Sequence, residues 1–165
     1  MTTSEQLAAL ARLHELLQTA GIDYWLFGGW AVDFHAGAVT REHFDVDTAV
    51  WLSDVPRIAQ LLAAEGWQHA PQADEDGGTG YERGTVRIEL TFLVRGHDGG
   101  VLIPLNAGPF RWSADDLLAE ERQLLGVRAR VLGLAELTRG KAAPRDDPSD
   151  AAKDRADFRV LSGLG

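Results

Sequence analysis

Two aspartates separated by one residue are the clearest chemical signal in this sequence. Asp45 and Asp47 lie in an apolar stretch that predicts a β-strand. Alternate residues of a strand share a face, so both carboxylates should project from one side, about 7 Å apart along the backbone. Two carboxylates at that spacing repel each other unless a cation lies between them. The pattern therefore predicts a metal site on a sheet, with Val46, Val50 and Leu52 facing the core.

A second predicted strand, residues 85–94, has the same design. Its apolar face consists of Val86, Ile88, Leu90, Phe92 and Val94, and its other face of Arg87, Glu89 and Thr91. Glu89 is thus a single carboxylate in the middle of a buried strand. If this strand lies beside the first, three carboxylates converge. Oxygen ligands alone favour Mg²⁺, which usually completes its coordination with water and substrate phosphates.

A glycine pair precedes the aspartates and predicts a phosphate-binding turn. Gly28 and Gly29 separate a predicted strand from a predicted helix, where glycine lets the backbone approach a ligand and the helix N-terminus offers free N–H groups. The sequence contains neither the G-x-G-x-x-G pattern of dinucleotide-binding folds nor the Gly-Lys-Ser/Thr of a P-loop. A nucleotide would instead be held through phosphates bridged by metal.

The elements that must position these residues mix helices and strands without a regular βαβ order, which predicts an α+β fold with a small mixed sheet. Thr3 and Gln6 suggest a capping box for the first helix, and Gly21 its end. Helices are expected at 3–20, 30–36, 56–65, 113–123, 134–143 and 149–161, and strands at 24–27, 44–52, 80–83, 85–94, 101–105 and 127–132. We expect one domain, 1–165, with the sheet and its helices in 1–133 and a C-terminal helical segment in 134–165.

Composition excludes several classes of protein. The 165 residues have a formal net charge of -9, which is unfavourable for binding the phosphate backbone of nucleic acid. There is no cysteine, so disulfides, thiolate zinc sites and cysteine nucleophiles are excluded. No apolar run approaches the ~20 residues of a membrane helix, and the N-terminus lacks a signal pattern. We expect a cytoplasmic protein with no membrane or nucleic-acid partner.

The motifs around the glycines and aspartates resemble those of small antibiotic nucleotidyltransferases. The resemblance lies in residues 24–33, Tyr-Trp-Leu-Phe-Gly-Gly-Trp-Ala-Val-Asp, and residues 40–47, Thr-Arg-Glu-His-Phe-Asp-Val-Asp. It is strongest to the lincosamide nucleotidyltransferases and extends to the aminoglycoside 2''-nucleotidyltransferases. Residues 152–157, Ala-Lys-Asp-Arg-Ala-Asp, also resemble a Lys-Asp-x-x-Asp helix of many relatives.

The resemblance implies the nucleotidyltransferase palm fold of DNA polymerase beta, in a minimal form. It implies transfer of a nucleoside monophosphate from a Mg²⁺-bound nucleoside triphosphate, commonly ATP, to a hydroxyl group of a small molecule. Asp45 and Asp47 match the metal-binding pair. Glu89 falls at the position of the third carboxylate, often the general base. Gly28 and Gly29 match the glycines of the phosphate loop.

Other residues have two open interpretations. One interpretation is that the triphosphate is neutralised by Lys141, Lys153 and Arg41. The other is that the two lysines are solvated helix residues and that Arg41 structures its loop. The same two alternatives, phosphate contact or loop structure, apply to His43. Phe110 and Trp112 line an acceptor pocket or simply pack. The acidic run 74–76 attracts a cationic acceptor or is a solvated loop.

These observations predict an enzyme that adenylylates a small cationic antibiotic-like molecule, of lincosamide or aminoglycoside type, and so confers resistance. One alternative is a nucleotidyltransferase that modifies a protein or tRNA, as in toxin–antitoxin systems. Another is a nucleotide-binding module without catalysis, against which the intact set of Asp45, Asp47 and Glu89 argues.

Overall fold

The computed structural model describes residues 2–164 and has a mixed β-sheet flanked by helices. The helices are α1 (Thr3–Ala20), α2 (Gly28–Ala36), α3 (Val55–Ala64), α4 (Leu134–Ala142) and α5 (Pro148–Ser162). The strands are β1 (Tyr24–Leu26), β2 (Val46–Trp51), β3 (Gln68–His69), β4 (Gly78–Arg83), β5 (Val86–Arg95), β6 (Val101–Ile103), β7 (Phe110–Trp112), β8 (Glu121–Leu124) and β9 (Val127–Arg130).

The main sheet has seven strands, in the order β1-β2-β5-β4-β3, with β6 paired to the end of β5 and β7 paired to β6. Only β2 and β5 run parallel, and the other pairs of this sheet are antiparallel. β8 and β9 form a separate hairpin. The predicted α+β class with a mixed sheet is therefore confirmed, and β2 and β5 are neighbours, as a convergence of their acids requires.

The first helix has the predicted bounds but a different cap, and the second begins earlier than predicted. α1 spans the predicted range, and Gly21 ends it with a φ of 68°. Its capping box is formed by Thr2 and Glu5, so the prediction of Thr3 and Gln6 was wrong; the Gln6 amide instead donates to the carbonyl oxygen of His43, 2.9 Å away. α2 begins at Gly28, two residues earlier than predicted, so the glycine pair belongs to its first turn.

The helix expected at residues 113–123 is wrong. Only a 3₁₀ turn forms there, at Ala114–Asp116, and β8 follows it. β8 pairs with β9 across a tight turn at Gly126, which has a φ of 81°, so its backbone hydrogen bonds are satisfied by a hairpin ladder. Asp116 caps a different helix, because its carboxylate accepts from the backbone N–H of Glu136 in the first turn of α4.

Two predicted core faces also need correction. β2 ends at Trp51, and Leu52 lies in a 3₁₀ turn with 42% of its surface exposed, so it does not face the core. In β5 the buried alternation holds as far as Leu90, after which Leu93 is buried while Phe92 is only half-buried. The end of β5 carries the hairpin strand β6 and so leaves the regular two-faced environment.

α1, α2 and the strands share one apolar core, whose largest fully buried side chains include Trp30, Tyr24 and Leu10. α5 packs against both α2 and α4, which places the C-terminal helices beside the start of β2. Within residues 2–164, no helix combines the length and the apolar character required to span a bilayer.

Candidate active site

The first turn of α2 forms one wall of the candidate site. Its N-cap residue, Phe27, has an extended backbone and provides no side-chain hydrogen bond to the turn. The N–H groups of a first helical turn lack partners inside the helix, and together with the helix dipole they favour a phosphate oxygen. Gly28 and Gly29, the predicted phosphate-binding residues, both lie in this turn.

The two glycines also make room for other side chains of the protein. Gly28 has a φ of 65°, which disfavours any residue with a side chain, and a Cβ atom there would collide with the Asp47 carboxylate. A Cβ atom at Gly29 would collide with Arg41 and His43. The glycine pair therefore allows the helix start, the aspartate strand and the preceding loop to meet closely.

Asp45 and Asp47 are adjacent, confined and without partners. Asp45 immediately precedes β2, Asp47 is its second residue, and both line one small cavity. Within residues 2–164 neither carboxylate has a hydrogen-bond or ion-pair partner. Burial, reinforced by the charges of Asp45 and Glu89, raises the pKa of Asp47 to about 8. Burial also raises the pKa of Asp45, although nearby cations, led by Lys153, oppose it.

The fully buried acids of the described chain are paired, whereas the partly buried Asp45 and Asp47 are not. The buried, paired acids are Asp33, Glu136, Asp154 and Asp157. A buried carboxylate is costly unless a cation compensates it. Two neighbouring carboxylates with no ion-pair partner in residues 2–164 supply the hard oxygen ligands that suit a divalent metal ion such as Mg²⁺.

Glu89 is brought directly beside Asp47 by the sheet. In the parallel β2–β5 pair the two residues are register partners, and the Thr48 hydroxyl donates to the Glu89 carbonyl oxygen at 3.0 Å. The Glu89 carboxylate accepts from the Arg87 guanidinium and, at 3.3 Å, from the Gln72 amide. Burial raises the pKa of Glu89 despite the opposing effect of Arg87.

The three predicted carboxylates therefore converge in the fold but differ in their surroundings. Asp45 and Asp47 are unpaired, whereas Glu89 is held by Arg87. Across the described part of the chain, no group of three or more His, Asp or Glu side chains is arranged to hold one metal ion. The observed geometry thus separates a pair suited to metal binding from a third acid held beside it.

A buried aspartate organises the loop that leads to Asp45. Asp33, on α2, accepts from the backbone N–H and the hydroxyl of Thr40 at 3.0 and 2.5 Å. Its second carboxylate oxygen lies 2.5 Å from Nε2 of His43, whose ring packs on Trp30 at a centroid distance of 4.6 Å. Of the two interpretations of His43, the contacts favour the loop-structuring one.

Two of the predicted phosphate-binding cations are held in a buried ionic network. Arg41 donates two hydrogen bonds of 2.8 Å to Asp157 of α5. Lys141 of α4 lies 2.9 Å from Asp154 and 2.8 Å from Asp157. The network ties α4, α5 and the loop before β2 together, so these cations have a structural role whether or not they also contact phosphate.

Two further cations border the same cavity. Lys153 forms an ion pair with Asp150 at 3.2 Å and lies 4.6 Å above the ring of the exposed Phe44. Arg145 donates to Asp154 at 2.8 Å. The cavity has a volume of about 220 Å³, and its walls bring Arg41, Lys141, Arg145 and Lys153 around the two unpaired aspartates.

A larger cavity of about 870 Å³ opens on the other side of Asp47. Phe27 and Trp112 pack edge to face in its wall at 5.3 Å, and Phe110 is half-exposed there. Its acidic lining residues are Asp47, Glu75, Asp76, Glu89 and Glu136. One carboxylate oxygen of Glu75 is buried and has no hydrogen-bond partner in the part of the chain that the structure describes. Phe110, Trp112, Glu75 and Asp76 thus line this cavity, whereas Asp74 does not, and Trp112 also packs in the core.

Several residues around the site were not found from the sequence. Asp33, Asp154 and Asp157 belong to the motifs of residues 24–33 and 152–157, but nothing in their spacing shows that they anchor Thr40, Lys141 and Arg41. Arg145 follows a proline in what looks like an exposed connection. Glu136 has no signal of its own, because an acid in the first turn of a helix is common.

Comparison with known proteins places this geometry in context. A model of the family described as aminoglycoside-2''-adenylyltransferase matches residues 9–141, which include both glycines, both aspartates, Glu89 and Lys141. The matched range ends before α5. No curated protein matches the sequence.

Solved structures share the fold at low sequence identity. The lincosamide antibiotic adenylyltransferase LnuA, bound to lincomycin, superposes with a TM-score of 0.73 at 17% identity, covering 100% of this chain and 99% of LnuA. The solution structure of the antibiotic-resistance factor ANT(2'')-Ia gives 0.72 at 16% identity, covering 99% and 86% of the two chains. ANT(2'')-Ia in complex with adenylyl-2''-tobramycin gives 0.69 at 16%, covering 98% and 90%.

Proposed function

The chain belongs to the aminoglycoside-2''-adenylyltransferase family, and we propose that it transfers AMP from Mg²⁺-bound ATP to a hydroxyl group of a small cationic, antibiotic-like molecule. The observation that carries this proposal is the pair of unpaired carboxylates, Asp45 and Asp47, which line a small cavity together with four basic side chains, while Asp47 also lines a larger cavity. Such an arrangement suits a metal, an anionic nucleotide and a cationic acceptor that meet at one point.

The donor set fits a divalent metal. Asp45 and Asp47 would hold it, with Glu89 close enough in the sheet to serve as a further ligand, a base or both. When bound, Mg²⁺ supplies positive charge that stabilises the α-phosphate as charge develops and keeps the triphosphate in place. Among the described residues, 2–164, no cation is paired to either aspartate, which supports this assignment.

The triphosphate is assigned to the 220 Å³ cavity. The uncapped first turn of α2 would donate backbone N–H groups from Gly28 and Gly29. Lys141, Lys153 and Arg41 would compensate the phosphate charge from the opposite walls. Arg41 and Lys141 are already oriented by Asp157, which reduces the side-chain entropy lost on binding.

The acceptor is assigned to the 870 Å³ cavity. Phe27, Phe110 and Trp112 provide apolar surface for a ring, and the unpartnered Glu75 oxygen would receive an ammonium group. The wall also contains Arg111, Arg139, Lys141 and Arg145, so its charge is mixed. The net charge of -9 and the buried Glu75 oxygen favour a small cationic acceptor over a polyanion such as tRNA.

The chemistry is an in-line displacement at the α-phosphorus. The acceptor oxygen forms a new bond to phosphorus, the bond to the pyrophosphate oxygen breaks, and Glu89 takes the hydroxyl proton. Arg87 holds the Glu89 carboxylate at the site, and the fixed sheet register keeps it beside Asp47. Positioning supplies most of the acceleration in such transfers.

An acceptor panel tests the proposal. The protein would be incubated with α-labelled ATP, Mg²⁺ and, separately, a lincosamide, several aminoglycosides, mixed cellular protein and tRNA. We expect label in at least one cationic small molecule, with equimolar pyrophosphate. Label only in protein or tRNA would refute the small-molecule acceptor, and no label in any sample would refute nucleotidyl transfer by this site.

A further inference from the structure

Two segments that are far apart in the sequence contribute to the wall of the 870 Å³ cavity. The β6–β7 arm, residues 101–112, supplies the aromatic residues Phe110 and Trp112. The acidic run 74–76 supplies two of the carboxylates. The distance between these two segments therefore sets the width of the cavity that is assigned to the acceptor.

Strand pairing holds the base of the arm but not its tip. β6 pairs with the last two residues of β5, and β7 pairs with β6 as far as Ile103 and Phe110. Residues 106–110, at the tip, are exposed. How closely the tip approaches the acidic run therefore depends on contacts outside the strand ladder.

Asp76 provides such a contact. Its two carboxylate oxygens accept from the backbone N–H of Asn106 at 2.9 and 3.1 Å. Gly77 lies against the same loop, where a Cβ atom would be 2.7 Å from the Leu105 side chain. The Gly77 carbonyl oxygen in turn accepts from the N–H of Phe92 in β5 at 2.9 Å. The tip of the arm is thus tied, through Asp76, to a point that the sheet fixes.

The two cavity-lining carboxylates of the acidic run differ in what they bind. Glu75 has a buried oxygen that makes no hydrogen bond among the described residues, so this oxygen can receive a cation. Asp76 is exposed, and both of its oxygens are engaged by Asn106. When a ligand binds only one arrangement of a protein, its apparent affinity falls with the fraction of molecules in that arrangement. Loss of the Asp76 contact would lower this fraction for the acceptor.

We propose that Asp76 is a positioning residue for the acceptor, which fixes the width of the cavity by holding the tip of the β6–β7 arm and acts through this contact rather than through its charge. The proposal rests on the proposed function, because the acceptor is assigned to this cavity. The 220 Å³ cavity, assigned to the triphosphate, is lined by residues outside the arm and outside the acidic run. ATP binding should therefore not depend on Asp76.

Substitutions in the acidic run test this role. Asp76→Ala removes the contact, whereas Asp76→Asn removes the charge but keeps a carbonyl oxygen that can accept from Asn106. Asp74→Ala is the matched control, because it removes an equal charge from the same run. Asp74 does not line the cavity and has no hydrogen-bond or ion-pair partner within residues 2–164. Both partners of the Asp76 contact are exposed, so water can replace the lost bond and each variant should fold, which thermal unfolding verifies.

Steady-state kinetics would be measured with ATP, Mg²⁺ and the acceptor that the panel identifies. We expect Asp76→Ala to raise KM for the acceptor about fivefold, with kcat and KM for ATP within about twofold of the wild-type values. Asp76→Asn and Asp74→Ala should keep KM for the acceptor within about twofold of the wild-type value. Unchanged KM in Asp76→Ala, an equal rise in either of the other variants, or an equal rise of KM for ATP would overturn the positioning role.

Hydrogen exchange of the Asn106 amide, followed by NMR, gives a readout that does not depend on activity. The amide should exchange about fivefold faster or more in Asp76→Ala than in the wild-type protein and Asp74→Ala. If the wild-type protein labelled an acceptor but the amide exchanged equally in all variants, the role of Asp76 alone would fail. If the wild-type protein labelled nothing in the panel, the proposed function would fail and the role of Asp76 with it.

Discussion

Replacing Asp47 by asparagine should stabilise the metal-free protein while it abolishes transfer. The carboxylate is partly buried, lies near Asp45 and Glu89, and has no hydrogen-bond or ion-pair partner within residues 2–164; desolvation and these charges raise its pKa to about 8. In the unfolded chain the pKa is about 3.9. At pH 7 the folded state must therefore keep a proton that the unfolded chain releases.

The size of the effect follows from that difference. Each pH unit above the unfolded pKa costs about 1.36 kcal/mol, so at pH 7 the burden is at most about 4 kcal/mol. Because the folded pKa is raised, the stability of the wild-type protein should fall as pH rises from about 4 to about 8. The Asp47→Asn variant should lack this fall, and its Tm at pH 7 should be higher by at most about 15 °C.

The assay is thermal and urea unfolding of both proteins in EDTA at pH 5, 6, 7 and 8, repeated with Mg²⁺. Added Mg²⁺ should stabilise the wild-type protein more than the variant, because the metal binds only the folded carboxylate pair. If the variant were less stable than the wild-type protein in EDTA at pH 8, or showed the same dependence on pH, the idea of an uncompensated carboxylate pair would be refuted.

Three further predictions concern the residues around this pair. Glu89→Gln should lower kcat about 100-fold or more with little change in KM for ATP, because a general base contributes a rate enhancement of about 10²–10⁴. The control, Glu82→Gln, removes the other acid paired to Arg87 and should leave kcat within about twofold of the wild-type value. Asp157→Asn should lower the free energy of unfolding by about 3 kcal/mol in urea melts, because it breaks a buried ionic network. The control, Asp98→Asn, removes an exposed ion pair and should cost less than about 1 kcal/mol. Equal losses in the two variants would contradict the structural role of the network. Burial raises the pKa of Asp157, but hydrogen bonds from Arg41 and Lys141 outweigh burial and keep this pKa below its usual value. The contribution of Asp157 to the free energy of unfolding is therefore present above pH about 4 and is lost as pH falls further. Glu75→Gln should raise KM about fivefold for a cationic acceptor and not for a neutral one, whereas an equal rise for both would show that Glu75 does not pair with an ammonium group.

The parts of the fold predicted correctly are those with strong local signals. The period of apolar residues in α1, the alternation along β5 as far as Leu90, and the glycine that ends α1 all depend on neighbours in sequence. The helix predicted at 113–123 does not form, because Asp116 caps α4 and β8 is determined by pairing with β9, neither of which is a local signal.

The same distinction applies to the site. Strand alternation alone predicts that Asp45 and Asp47 project from the same side. The position of Glu89 near Asp47 required only that β5 lie beside β2, which it does. The pairing of Arg41 and Lys141 with Asp157 spans 116 residues in one case, and no local pattern encodes such a contact. The hydrogen bond between Asp76 and Asn106 joins two loops 30 residues apart, so it too was invisible in the sequence.

Transfer of label by Asp45→Asn is the decisive measurement. Wild-type protein and the variant would be incubated with α-labelled ATP, Mg²⁺ and the best acceptor from the panel, with folding of the variant verified by its Tm. We predict that the wild-type protein labels the acceptor and releases pyrophosphate, and that the folded variant does neither above background. Wild-type turnover by a folded Asp45→Asn protein would contradict the assignment of the carboxylate pair as the metal-binding centre.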